Sequence, residues 1–293
     1  MEIKNVLILG AGTLGSRVGL QAAISNYSVT VYDIHESALQ QSQRVIEKVI
    51  RYAVKIGMVK EEDKPSILAR IKFTIDPIEA VLDADIISES VTEDPTTKEK
   101  VWKHFGEIAP TKTIFTTNTS YLLPSQFAAL SGRPEKFCAF HFHDVFTARV
   151  VDIMPHPDTD PKLIPLLFDF GKKLNQVPVL VKKESPGYIF NFMLMALIGA
   201  AGRLKTKDIG SIEDIDKSWM VNFNMPMGPF GILDSVGLDT AWRVTKDRDD
   251  SSSKSFSELL KSYVDQGKLG EKSGEGFYKY PNPIFKDIDF LTK

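Results

Sequence analysis

Cysteine is nearly absent. The single Cys138 has no partner within the chain, which excludes an internal disulfide framework and suits a reducing, cytoplasmic setting. An excess of either charge is also lacking. The formal net charge is −2 at pH 7, so neither nucleic acid nor a membrane surface is expected as the main partner. No apolar run reaches bilayer length: the longest, Tyr188 to Ala201, carries Asn191 and is too short to span. The first residues include the acidic Glu2 and lead into a glycine-rich turn, unlike a secretory signal. Internal repeats and low-complexity tracts are missing as well. What remains is a 293-residue chain with 43% hydrophobic residues, enough for a sizeable core and long enough for two domains.

The rest of the chain is organised around Val6 to Asp33. Val6-Leu7-Ile8-Leu9 reads as a strand buried on both faces. Gly10-Ala11-Gly12-Thr13-Leu14-Gly15 follows and runs into helical spacing at Leu14, Val18 and Ala22. A second strand, Val29 to Tyr32, ends on Asp33, eighteen residues after Gly15. This order fits a dinucleotide. Gly10 permits the tight turn, Gly12 lets backbone approach a pyrophosphate, and Gly15 lets the helix pack on the strand. The helix N-terminus offers free N–H groups to phosphate, and Asp33 stands where a carboxylate meets the adenosine ribose. An ordinary glycine-rich turn fits less well, because three glycines weaken a helix start.

Further strands are expected at 71–74, 84–87, 113–116, 137–140, 149–153 and 177–181, with Pro178 at a sheet edge. A long helix is expected from Glu36 to Ile56. It carries a basic stripe, Arg44, Lys48, Arg51 and Lys55, which either meets phosphates or is a solvated face. Past Glu184-Ser185-Pro186-Gly187 the pattern turns helical, at 188–202, 212–223, 229–244 and 256–266, with a polar surface loop at 246–254. The expected architecture is therefore α/β. A Rossmann-type, mostly parallel sheet occupies residues 1–184, followed by an all-helical domain at 185–293.

In open α/β sheets, function gathers at the carboxyl ends of strands. Gly10, Asp33, Glu89, Ser120 and His141 all follow predicted strands, the loop after Ile87 carrying Glu89 and Glu93. A histidine beside a hydroxyl (Ser120) and a carboxylate (Asp152) suits alcohol oxidation, in which a base must take the hydroxyl proton. Each has a plainer alternative. Ser120 would cap a helix, Asp152 would be an edge-strand polar residue, and Asn191 would make a structural hydrogen bond. His141, His143 and Asp144, with His156 nearby, raise a metal site. Against it, alternate strand residues point to opposite faces and no cysteine or second acid cluster completes a shell, so no metal is expected.

These residues resemble the 3-hydroxyacyl-CoA dehydrogenases. The resemblance rests on the glycine loop, Asn118-Thr119-Ser120, His141-Phe142, Asp152, Pro186 to Asn191, Met227-Gly228-Pro229-Phe230, Gly237-Leu238-Asp239 and Gly267 to Tyr278. It implies NAD as cofactor and places the catalytic histidine on His141 and its acidic partner, usually glutamate, on Asp152. Ser120 and Asn191 fall on the substrate-contacting positions, and Glu93 and Lys98 near the nicotinamide. Gly10, Ala11, Gly12, Thr13, Leu14, Gly15, Asp33 and Asn118 complete the expected cofactor contacts. The helical domain would close over the substrate and form a homodimer.

Two departures stand out. The family continues past the histidine with Phe-Phe-Asn-Pro, whereas this chain reads Phe142-His143-Asp144-Val145. Met154-Pro155-His156-Pro157-Asp158-Thr159 resembles the branch of L-gulonate 3-dehydrogenase and the diketoreductases, which act without coenzyme A. The expectation is an NAD-dependent oxidoreductase of fatty acid metabolism, interconverting short 3-hydroxyacyl-CoA and 3-oxoacyl-CoA. The alternatives are the same chemistry on a free hydroxy acid, sugar acid or diketone, and a non-catalytic nucleotide-binding protein.

Overall fold

The structure, a computed structural model, describes residues 2–246 and 251–292. The chain divides into two units, Met1–Ile189 and Phe190–Lys293.

In the first unit eight strands form one sheet: β1 (Asn5–Leu9), β2 (Ser28–Tyr32), β3 (Ile71–Thr74), β4 (Ile86–Glu89), β5 (Ile114–Thr117), β6 (Phe137–Phe142), β7 (Val150–Met154) and β8 (Val177–Leu180). Their order is β3-β2-β1-β4-β5-β6-β7-β8. The first six run parallel, β7 is antiparallel to β6, and β8 is parallel to β7 on the sheet edge, where Pro178 sits. The helices of this unit are α1 (Thr13–Ile24), α2 (Glu36–Lys55), α3 (Lys64–Leu68), α4 (Pro77–Val81), α5 (Pro95–Ile108), α6 (Ser125–Ala128) and α7 (Leu163–Lys173).

Because side chains alternate along a strand, the apolar run of β1 serves both faces. Val6 and Ile8 join Val18 of α1, Ile46 and Ile50 of α2 and Leu167 of α7 in one core. Leu7 and Leu9 join Trp102 and Phe105 of α5 in the other. Trp102 is fully buried, edge-on to Phe115 and Phe137. Truncating such a residue typically costs about 3–5 kcal/mol. Helix starts are marked in sequence: Asp76 and Asp94 accept N–H bonds at the heads of α4 and α5, each followed by a proline.

β4 begins two residues later than the sequence pattern predicts. The carboxylate of Asp85 accepts from the N–H groups of Lys4 and Asn5 just before the strand. Glu89 therefore ends β4 rather than lying in the following loop, and it is fully buried.

The second unit is helical: α8 (Phe190–Thr206), α9 (Ile212–Phe223), α10 (Pro229–Val236), α11 (Leu238–Thr245) and α12 (Ser251–Val264). Ile198, Met220, Phe230, Leu233, Leu238, Phe256 and Leu260 form its core. Two buried carboxylates tie it together. Asp216 accepts from Phe230 N, Gly231 N and the Tyr278 hydroxyl, and Asp234 from Phe277 N, Tyr278 N and the Tyr280 hydroxyl. The single helix expected over 229–244 is broken at Gly237, whose φ of +99° no helix accommodates. Of the loop expected over 246–254, residues 247–250 lie outside the described residues, and the backbone from Ser251 is already helical. Among the described residues no helix is long and apolar enough to cross a membrane.

Candidate active site

The parallel order 3-2-1-4-5-6 reverses direction between β1 and β4, where an open α/β sheet leaves a crevice. A cavity of about 500 Å³ opens there, lined among others by Gly10, Gly12, Thr13, Asp33, Ser90 and Thr97. The three glycines answer to different constraints. Gly10 has a φ of +100°, and a Cβ on it would lie 2.7 Å from the carbonyl oxygen of Ser90. A Cβ on Gly15 would lie 2.1 Å from the Gly10 carbonyl oxygen, so close helix–strand packing forbids one. Around Gly12 a Cβ would meet nothing within 4 Å, which leaves open space at the head of α1. No side chain caps that helix. Its first N–H groups are unmatched by helix geometry and suit a pyrophosphate, with Ala11, Thr13 and Leu14 in the same turn.

Asp33 holds this loop from β2. Its Oδ2 accepts from Ala11 N at 2.9 Å and its Oδ1 from His35 N at 3.0 Å. The carboxylate is thereby fixed beside the cavity, where a ribose hydroxyl would meet it.

A second group of residues lies at the ends of β4, β5 and β6. Glu93 accepts from the Thr119 hydroxyl, Ser120 N and Tyr121 N. Burial would raise its pKa, but those donors and Lys98 hold it below the usual carboxylate range. Lys98 is fully buried between Glu89, at 2.5 Å, and Glu93, at 3.5 Å. Glu89 in turn accepts from the Thr117 hydroxyl. Asn118 braces the strand ends: its Oδ1 accepts from Phe142 N at 2.7 Å and its Nδ2 donates to Ser90 Oγ at 3.2 Å.

Register brings His141 and Asp152 together. His141 on β6 lies directly opposite Asp152 on antiparallel β7, so both side chains occupy one face. His141 Nδ1 is 3.1 Å from Asp152 Oδ2, and His141 Nε2 is 3.2 Å from Ser120 Oγ. Burial lowers the pKa of His141 most; the charge of His143 adds to this, while Asp152 and Glu93 oppose it. The result is an imidazole that stays neutral at neutral pH. Asp152 is held below the ordinary carboxylate pKa, its burial outweighed by bonds to His141 and His143. Such a chain of hydroxyl, imidazole and carboxylate can take a proton at Nε2 and stabilise the resulting charge from Nδ1.

Two further residues, His143 and Tyr188, join this site though neither was expected among its catalytic residues. His143 Nε2 lies 2.7 Å from the same Asp152 Oδ2. Residues 141 and 143 are two apart and share a face, which corrects the expectation that strand alternation separates them. His141, His143 and Asp152 offer donor atoms within 4.8 Å of one another. Tyr188 stacks on His141, with 4.6 Å between ring centroids and 9° between planes, and donates its hydroxyl to Thr119 O at 2.7 Å. The i, i+2 spacing of the histidines was available in the sequence; nothing local announced Tyr188.

Other residues singled out in the sequence have places of their own. Asp144 pairs with Arg17 of α1 at 3.0 Å and accepts from Phe146 N and Thr147 N, so it shapes the turn after β6. His156 Nε2 bonds Pro134 O, and Thr159 donates to Phe137 O, so their segment braces the start of β6. Asn191 belongs to the second unit, half-buried in the first turn of α8. The side chains of Arg44, Lys48, Arg51 and Lys55 are all exposed along α2.

Both halves of the chain match one known family. Residues 5–185 match the 3-hydroxyacyl-CoA dehydrogenase, NAD binding domain, and residues 187–280 match the C-terminal domain of the same family. The chain is 33% identical to a probable 3-hydroxyacyl-CoA dehydrogenase of Caenorhabditis elegans, over 95% of this chain and 93% of that protein. It is similar to a solved diketoreductase acting on dicarbonyl compounds, with TM-score 0.91 and 37% identity over 96% of this chain and 100% of the other. It is also similar to (S)-3-hydroxybutyryl-CoA dehydrogenase of Ralstonia eutropha, with TM-score 0.86 and 29% identity over the same shares. With both halves matched, the chain belongs to the 3-hydroxyacyl-CoA dehydrogenase family, NAD-dependent oxidoreductases that act on CH–OH groups.

Proposed function

We propose that this protein interconverts short 3-hydroxyacyl-CoA and 3-oxoacyl-CoA, with His141 as the acid–base residue. The Ser120–His141–Asp152 chain at the sheet's carboxyl edge carries the reading. NAD, held by Gly10 to Gly15 and Asp33, supplies the hydride-accepting chemistry when bound. His141 Nε2 removes the hydroxyl proton in oxidation and returns it in reduction. Asp152 keeps the Nδ1 proton in place and stabilises the imidazolium. Ser120 Oγ, half-exposed beside Nε2, hydrogen-bonds the reacting oxygen, and Asn191 supplies a second polar contact on the family pattern. Glu93 orders the 119–121 turn, and buried Lys98 positions Glu93. Asn118 supports the cofactor side by bracing the strand ends.

Residues 185–293 act in this reading as the substrate-closing and homodimerisation domain. Support comes from apolar side chains left to solvent in the second unit, among them Phe192, Val221 and Phe223. A lone, buried Cys138 fits a cytoplasmic location.

A second reading is the same proton transfer on dicarbonyl compounds free of coenzyme A. The 37% identity to a diketoreductase favours it. A spectrophotometric panel separates the two. NADH with acetoacetyl-CoA, free acetoacetate and a diketoester, and NAD with L-gulonate, should show turnover concentrated on the thioester. Turnover of the diketoester with none of acetoacetyl-CoA would replace the first reading with the second.

A further inference from the structure

The family pattern has Phe at the position of His143, and this chain places there a second imidazole on the catalytic carboxylate. We propose that His143 is a positioning residue of the reaction: by donating Nε2–H to the Asp152 Oδ2 that also receives His141 Nδ1–H, it divides the carboxylate between two imidazoles and keeps His141 weakly basic.

The geometry is built into the sheet. His143 continues β6 by one residue, its N–H reaching Val150 O, which sets it diagonal to Asp152 across the antiparallel pair. Its bond to Oδ2 is the shorter, 2.7 Å against 3.1 Å from His141. The two rings sit 4.8 Å apart and tilted by 59°, so neither displaces the other. Asp152 is fully buried. The groups facing His141 are Asp152 from β7, His143 from the end of β6, Glu93 from the loop before α5, Ser120 after β5 and Tyr188 after β8. Of the two carboxylates among them, Asp152 is the one bonded to the ring. An oxygen that accepts two N–H bonds offers each less than its full charge.

The consequence is directional. In oxidation the proton moves from the substrate hydroxyl to His141 Nε2 while Nδ1–H stays on Asp152. A weaker base there remains unprotonated to lower pH, which extends oxidation on the acid side. In reduction the imidazolium releases its proton more readily. Reduction correspondingly calls for a lower pH to protonate it.

This inference rests on His141 being the base, and its test separates the two. kcat/KM for oxidation at saturating NAD is measured against pH for the wild type, His143→Phe and His143→Gln. Gln carries an N–H donor at about the reach of Nε2. In His143→Phe the midpoint of the acid limb should rise by about 0.5 to 1 pH unit, a roughly 3- to 10-fold loss of rate well below the midpoint. His143→Gln should restore the wild-type midpoint. An unmoved midpoint in His143→Phe overturns the proposal, as does a His143→Gln profile shifted as far as that of Phe. Should His143→Phe fail to fold, His143→Met carries the same expectation. A His141→Gln enzyme that keeps its rate would instead remove the base itself.

Discussion

The phenol ring of Tyr188 lies parallel to the imidazole of His141, and its hydroxyl bonds the carbonyl of Thr119. Tyr188 reaches this position with a φ of +54°, directly after Gly187 at +80°. One side chain thereby covers a face of the imidazole and ties it to the turn that carries Ser120. Tyr188→Phe should keep the stacking and lose one buried hydrogen bond, about 1 kcal/mol of stability, with kcat within a few-fold. Tyr188→Leu should lower kcat by more, since the imidazole loses its planar support. Paired melting and turnover measurements check this; equal kcat losses in both variants would give the role to the hydroxyl alone.

His141→Gln should abolish most turnover, a loss of about 10² to 10⁴, while leaving NADH binding measured by fluorescence nearly unchanged. Asp152→Asn should also slow the reaction more than it harms the fold. In the proposed mechanism both residues serve one proton transfer, so the double variant should lose little beyond the worse single one. Fully additive losses would assign Asp152 to another step.

In the proposed reading Asp33 presents a negative charge where a 2′-phosphate of NADP would sit, and Ile34 and His35 supply no arginine to offset it. NAD should be clearly preferred, and Asp33→Ala should narrow the preference. The same change removes the acceptor for Ala11 N and His35 N, so NAD affinity should also fall, by about 1 to 3 kcal/mol. Steady-state kinetics with both nucleotides tests this, and equal use of NAD and NADP by the unmodified protein would contradict the assignment.

The exposed stripe of α2 adjoins the face that lines the cavity through Gln41 and Val45. If coenzyme A phosphates meet it, neutralising Arg44 and Lys48 together should raise KM for an acyl-CoA with kcat little changed. The effect should fade as salt screens it. Unchanged KM at low ionic strength would leave the stripe a solvated face.

Asp216, fully buried, has its pKa pushed up to about 6, chiefly by burial and partly by Asp234, against three hydrogen bonds. The folded pKa lies above the unfolded one, so this group's contribution is complete below about pH 4 and is lost as pH rises through 6. That contribution is at most about 3 kcal/mol. Denaturant titrations between pH 4.5 and 7.5 should show a wild-type stability change that Asp216→Asn lacks. The variant should also be less stable throughout, since an amide N–H faces a donor. A wild-type curve parallel to that of the variant would place the pKa of Asp216 elsewhere.

Length, pattern and motif sufficed for the alternation of eight strands with helices, because buried parallel strands need near-continuous apolar runs and amphipathic helices need a regular stripe. They also sufficed for the glycine loop, where steric demands fall on individual residues in fixed order. Pairing was another matter. Whether Asp152 meets His141 depends on β7 running antiparallel to β6 in one register, a long-range choice that no local spacing encodes. The same register brings His143 onto the same carboxylate oxygen. Tyr188 follows β8 in the chain and reaches His141 through a turn with positive φ at Gly187 and Tyr188, a pairing across distant segments that local pattern does not encode. The break at Gly237 shows a similar limit: helical periodicity continues across it, and the helix ends where Gly237 takes a φ of +99°.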